Sequence, residues 1–113
     1  MSKLHPKLTL QLYTDEKCVG PGVIILLEKV RELGSLRKAS LSIDMAYSKA
    51  FNIIKRAEKE LGSTLLVSKT GGAFGGGAIL SDDALRLIKE YRDCECELND
   101  FCKQKFDEHF SWL

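Results

Sequence analysis

The stretch from Gly34 to Leu80 constrains the fold more than any other part of the chain. It opens with two short helical patterns joined by a turn, GSLRKASLSIDMAYSKAFNIIKRAEKELG. An apolar run, TLLVSK, follows at once, then the glycine-dense TGGAFGGG and a short apolar return, AIL. Glycine frees the backbone for an abrupt reversal, and two short apolar runs either side of such a tip make a β-hairpin. Helix, turn, helix and hairpin in this order form a winged helix-turn-helix. In that layout the second helix can enter a DNA major groove, and the hairpin tip can reach the neighbouring backbone.

The local signals agree with this layout. Val23, Leu26, Leu27, Val30 and Leu33 share a helical face after the punctuation of Gly20-Pro21-Gly22. Gly34 then ends that helix, and Ser35 can cap the next with its hydroxyl. Leu36, Ala39 and Ser40 form the packing side of the second helix, and Leu41 to Asp44 the turn, where Asp44 tolerates a left-handed backbone. Met45 is expected to anchor this turn in the core. The following helix runs to about Leu61 with Ala50, Ile53, Ile54, Ala57 and Leu61 inward, and Gly62 ends it. Ser81 caps a last helix that continues nearly to the end, with Asp82 and Asp83 in its first turn, where negative charge suits the helix dipole. Upstream, Leu8, Leu10 and Leu12 alternate with polar residues and predict a strand over 7–13, followed by a polar connector at 14–18. The expected class is mainly α with a small β-hairpin: a winged helix-turn-helix with a long C-terminal dimerisation helix. It forms a single domain over 1–113, with its core at 21–80 and the terminal helix at 81–112.

A chain of 113 residues supports one domain with one core. Its longest apolar run, Val23 to Leu27, is far too short to span a bilayer, and the N-terminus lacks the apolar centre of a signal peptide. A cytoplasmic protein without membrane contact is expected. The four cysteines, Cys18, Cys94, Cys96 and Cys102, contain no CxxC pair, and the two histidines, His5 and His109, lie near the ends. This spacing predicts neither a metal site nor a cofactor, and the cysteines read as free thiols. No Ser-His-Asp or Cys-His arrangement is discernible, so an enzyme is not expected. The overall charge of +1 hides a polarity, because Lys29–Arg56 carries +5 and Ser81 to the end carries −4. One face can meet phosphates while another stays away from them.

Ala46, Tyr47, Ser48, Lys49 and Asn52 would stand at the exposed start of the second helix of the pair, facing base edges and phosphates. Lys49 can donate to guanine and Asn52 can pair with adenine, while Tyr47 and Ser48 can donate to phosphate. Lys55 and Arg56 are placed for the backbone. Lys69, Thr70, Gly71 and Gly72 belong to the wing, and Ser35 stands at the start of the first helix of the pair. The glycine tip is not a P-loop, since no Gly-Lys-Ser/Thr follows it. Along the terminal helix Leu87, Tyr91, Cys94, Leu98 and Phe101 form a stripe suited to a second copy of the chain, which would present two reading helices to two half-sites.

These residues carry a family resemblance. Gly34-Ser35-Leu36, Ala39, the helix start from Met45 to Phe51, Lys59-Glu60-Leu61-Gly62 and Leu65-Leu66-Val67 resemble the winged helix of LysR-type transcriptional regulators. The tip from Thr70 through Gly77 to Leu80, with Ser81 and Leu85-Arg86-Leu87-Ile88, is closer to the N-terminal domain of molybdate-responsive ModE-type regulators. Tyr47, Ala50 and Phe51 also resemble that subgroup's reading helix. The resemblance implies a dimer on double-stranded DNA, with bases contacted from the start of the 46–56 helix, backbone contacted by the wing, and the terminal helix at the dimer interface. Two departures stand out. Ala46 replaces the Ser or Thr usual in the family, which removes one capping and phosphate contact. The sequence also continues into neither a molybdate-binding module nor an effector domain, so no oxyanion, inducer or other small-molecule site is expected. Two other readings remain: a winged helix that pairs with a separate effector chain, and a redox- or metal-responsive regulator using Cys94, Cys96 and Cys102.

Overall fold

The computed structural model describes residues 3–69 and 77–113. Among them the order is β1 (Leu12–Tyr13), β2 (Lys17–Val19), α1 (Pro21–Leu33), α2 (Leu36–Ser42), α3 (Tyr47–Leu61), β3 (Leu66–Ser68), β4 (Ala78–Leu80) and α4 (Asp82–Phe110). Two antiparallel hairpins, β1–β2 and β3–β4, flank the helices. This is the mainly helical winged-helix architecture with a long last helix that the sequence predicts.

The central element is α1. It packs against α2, α3, α4 and β4, and Val23, Ile24, Leu26, Leu27 and Val30 are all buried. Gly34 closes it in the left-handed conformation, φ 82°, with its N–H on the Val30 carbonyl. Ser35 then caps α2 by accepting from the Lys38 N–H at 3.0 Å. Asp44 takes the left-handed turn at φ 57°, and the Met45 N–H returns to the Ser40 carbonyl at 2.9 Å. These contacts fix the direction of α3. Ala50, Ile54 and Ala57 seat α3 on the core, and Gly62 ends it at φ 66°. Ile53 and Met45 are half-buried against the same cluster, whereas Leu61 is exposed.

The wing hairpin pairs Leu66 with Leu80, Val67 with Ile79 and Ser68 with Ala78. Its base is tied to the end of α1, where the Ala78 N–H donates to the Gly34 carbonyl at 2.9 Å. The approach requires glycine at 77, because a Cβ there would stand 2.4 Å from the Gly34 oxygen. Ser81 joins hairpin to helix. Its Oγ donates to the Thr64 carbonyl at 2.6 Å and accepts from the Ala84 N–H at 3.0 Å.

Two expectations are corrected. The strand predicted over 7–13 is reduced to Leu12–Tyr13, and its partner Lys17–Val19 begins inside the 14–18 stretch expected as a connector. The residues before Leu12 form no ladder; Leu10 packs on the core, and its carbonyl accepts from the Tyr91 hydroxyl at 2.6 Å. Their alternation therefore comes from an extended segment lying on a helix. The stripe on α4 is also divided. Ala84, Ile88 and Tyr91 are buried within their own chain, so Tyr91 belongs to the protomer core and not to an open face. Leu87 is half-buried against the same core, while Cys94, Leu98 and Phe101 are exposed.

Candidate nucleic-acid interface

The exposed side of α3 carries Ser48, Lys49, Asn52, Lys55, Arg56 and Lys59. Helical geometry turns Ser48, Asn52 and Lys59 away from the buried Ala50–Ile54–Ala57 line, with the other three on its flanks. The N-cap position falls on Ala46, which offers no side-chain hydrogen bond. The orphan N–H groups of the first turn thus remain open, and with the helix dipole they favour an anion at this end.

One flank of α3 faces the β1–β2 hairpin. There Arg56 is ion-paired with Glu16, and the Thr14 hydroxyl donates to Glu60 at 2.8 Å. Arg56, expected to contact phosphate, is thereby engaged by its own chain. The other flank faces the start of α2 and the wing across a groove of about 290 Å³, lined among others by Ser35, Arg37, Tyr47, Phe51, Lys55 and Glu58. The Tyr47 and Phe51 rings lie one turn apart with centroids 6.3 Å from each other. Arg37 stacks over Tyr47 at 4.5 Å, and Lys55 stands 5.5 Å from the Phe51 ring centre.

Glu58 holds this flank together. Its Oε2 accepts the N–H groups of Leu65 and Leu66 at 2.7 and 3.2 Å, and its Oε1 lies 3.3 Å from Lys55 Nζ. Burial pushes its carboxyl up, but the two backbone donors and Lys55 outweigh burial and hold it below the ordinary carboxylate range. The strand β3 therefore leaves α3 at a fixed angle.

Ser35, Tyr47 and Lys55 line the groove, and Ala46, Ser48, Lys49 and Asn52 are exposed along the first turns of α3. Ser35 lends its hydroxyl to the α2 cap and only lines the groove. Lys69 is exposed at the base of the wing, its N–H on the Gly77 carbonyl at 2.8 Å. Thr70, Gly71 and Gly72 lie outside the described residues. Arg37 was not among the expected contact residues; its place in the basic Lys29–Arg56 stretch, two residues after the Ser35 cap, was the signal for it. Among the described residues no group of three His, Cys, Asp or Glu is arranged to hold a metal ion, and no helix is long and apolar enough to cross a membrane.

No protein-family model matches the chain. Two curated proteins are similar to it. One is the molybdenum transport protein ModE of Azotobacter vinelandii, 32% identical over 74 residues, covering 66% of this chain and 27% of that protein. The other is the transcriptional regulator ModE of Haemophilus influenzae, 32% identical over 85 residues, covering 75% of this chain and 31% of that protein. The chain thus spans less than a third of the length of these relatives. Their likeness agrees with the ModE side of the resemblance noted in the sequence.

Proposed function

We propose that the chain is a DNA-binding transcriptional regulator that reads operator DNA with α3 and grips the adjacent backbone with the wing. The observation that carries this is the open basic face of α3, seated on the core along its opposite side and standing beside a hairpin at a fixed angle. The name of the Haemophilus influenzae relative, a transcriptional regulator, supports regulation of transcription. Lys49 and Asn52 then read base edges, and Ser48, Tyr47 and Lys69 contact phosphate. Thr70, Gly71 and Gly72 belong to the same contact by their place in the sequence. The chain acts as a homodimer through the far part of α4, where Leu98, Phe101 and Phe110 are exposed, with Trp112 exposed just beyond it. Apolar groups in that number on one projecting helix suit burial against a second copy.

A gel-shift titration across salt concentrations tests the proposal. Affinity is expected to fall steeply as salt rises. Lys49→Ala is expected to relax preference at one base position by about 1–3 kcal/mol, whereas Lys69→Ala weakens all sequences alike. Absence of binding to any duplex at low salt would refute the reading.

A further inference from the structure

Phe51 sits in the middle of the surface assigned to DNA, yet its side chain can make neither an ion pair nor a conventional hydrogen bond. It is 42% exposed. Leaving that much phenyl surface in water forgoes part of the ~1.5–3 kcal/mol that full burial returns. Among the described residues, the start of α2 and the base of the wing border a groove that Phe51 lines.

The surroundings of the ring narrow what can occupy the groove. Tyr47 and Phe51 line it as neighbouring rings, and Arg37 and Lys55 stand over those rings. Glu58, a carboxylate in the same lining, is turned to the N–H groups of Leu65 and Leu66 and to Lys55, so its charge is already engaged. Exposed rings with cationic side chains beside them complement an apolar group set between phosphates. On the major-groove edge of DNA that group is the C5-methyl of thymine. The other base-edge groups there are donors and acceptors, which a phenyl ring would strip of water without replacing the lost hydrogen bonds.

We infer that Phe51 is a specificity residue that recognises thymine through its methyl group, with Tyr47 backing the ring and Arg37 holding a flanking phosphate. The inference rests on the DNA-reading proposal above. It adds one apolar thymine contact per subunit beside the hydrogen-bonding contacts of Lys49 and Asn52.

The test uses the full chain and duplexes enriched by it from a randomised DNA pool at fixed salt. Each thymine of an enriched duplex is replaced in turn by deoxyuridine, which removes the methyl and keeps the base pair. One replacement per half-site is expected to weaken binding about fourfold, the worth of one buried methyl. Phe51→Ala is expected to bind the thymine and uracil duplexes equally, and Phe51→Leu to retain part of the preference. Circular dichroism checks that the variants fold; should Phe51→Ala fail to fold, the wild-type replacement scan and Phe51→Leu decide the matter. Indifference of the wild-type chain to every replacement overturns the inference, as does an undiminished thymine preference at the same position in folded Phe51→Ala. DNA binding without any methyl effect removes the thymine contact alone. Failure to bind any duplex removes the regulator reading and this inference with it.

Discussion

Both α3 and the far half of α4 leave side chains in the open, but they are held very differently. Ala50, Ile54 and Ala57 fix α3 along its length, Gly62 ends it and Glu58 ties its last turns to the wing. In α4 the last buried residue is Tyr91, and some five turns continue beyond it to Phe110. The open side of α3 is basic and polar with one aromatic flank. Distal α4 is exposed nearly all round and carries Leu98, Phe101 and Phe110. A helix that must present side chains at fixed positions is braced on every other side. A helix whose exposed groups are apolar can be completed by whatever covers it.

The contrast predicts that substitutions on the two helices act on different quantities. The largest effect is expected at Ile54, 2% exposed under α3. Ile54→Ala should cost about 2–5 kcal/mol in chemical denaturation through the cavity it leaves. A loss below 1 kcal/mol would mean that α3 is less firmly seated than described.

Next comes Glu58→Gln, whose carbonyl oxygen can still accept both N–H groups but which loses the charge and the pairing with Lys55. It is expected to cost about 1.5–3 kcal/mol near neutral pH. The sign with pH follows from the depressed carboxyl. Its contribution is complete above the unfolded pKa, near the ordinary value of 4.5, and is lost as pH falls through the lower folded value. Thermal melts of the two proteins should therefore converge in acid. Parallel melts at every pH would show that the charge contributes nothing.

Arg92 marks the boundary between the seated and projecting parts of α4. It reaches Glu28 of α1 through two hydrogen bonds, at 2.7 and 3.1 Å, and Glu95 through a third at 2.9 Å. Its guanidinium holds the Glu28 carboxyl below the ordinary range. The pair is partly open to solvent, so Arg92→Ala is expected to cost only about 1 kcal/mol. Proteolysis or hydrogen exchange should register the change on α4 before α1.

The smallest effect on monomer stability is expected at Phe101, which is 57% exposed. Phe101→Ser should alter unfolding by no more than about 0.5 kcal/mol while weakening self-association in sedimentation. A large loss of stability without change in association would erase the distinction between the two helices.

Much of this architecture was legible because its signals are local. Ser35 and Ser81 cap the helices they were expected to cap, Gly34 and Gly62 end theirs, and Asp44 takes the left-handed turn. The buried line of α3 follows from spacing alone. The failures involve choices between distant partners. Alternating leucines before Tyr13 fit a ladder or a segment laid on a helix, and only the position of α4 distinguishes them. A stripe along α4 does not say where its own core stops, so Tyr91 and Phe101 look equivalent in sequence. The Arg92–Glu28 pair joins residues far apart in the chain. Periodicity placed Phe51 off the core line, but the groove that gives it neighbours exists only after α2 and the wing take their places.

The junction at Ser81 has a mechanical consequence. Strand β4 ends at Leu80 and α4 begins at Asp82, so one residue serves both. A 29-residue helix is a lever about 43 Å long, and its short arm is welded to the wing. Tilting it by about 5° would sweep the far tip through roughly 4 Å with no slack to absorb the motion. Whatever clasps that tip thereby also sets the pitch of the hairpin.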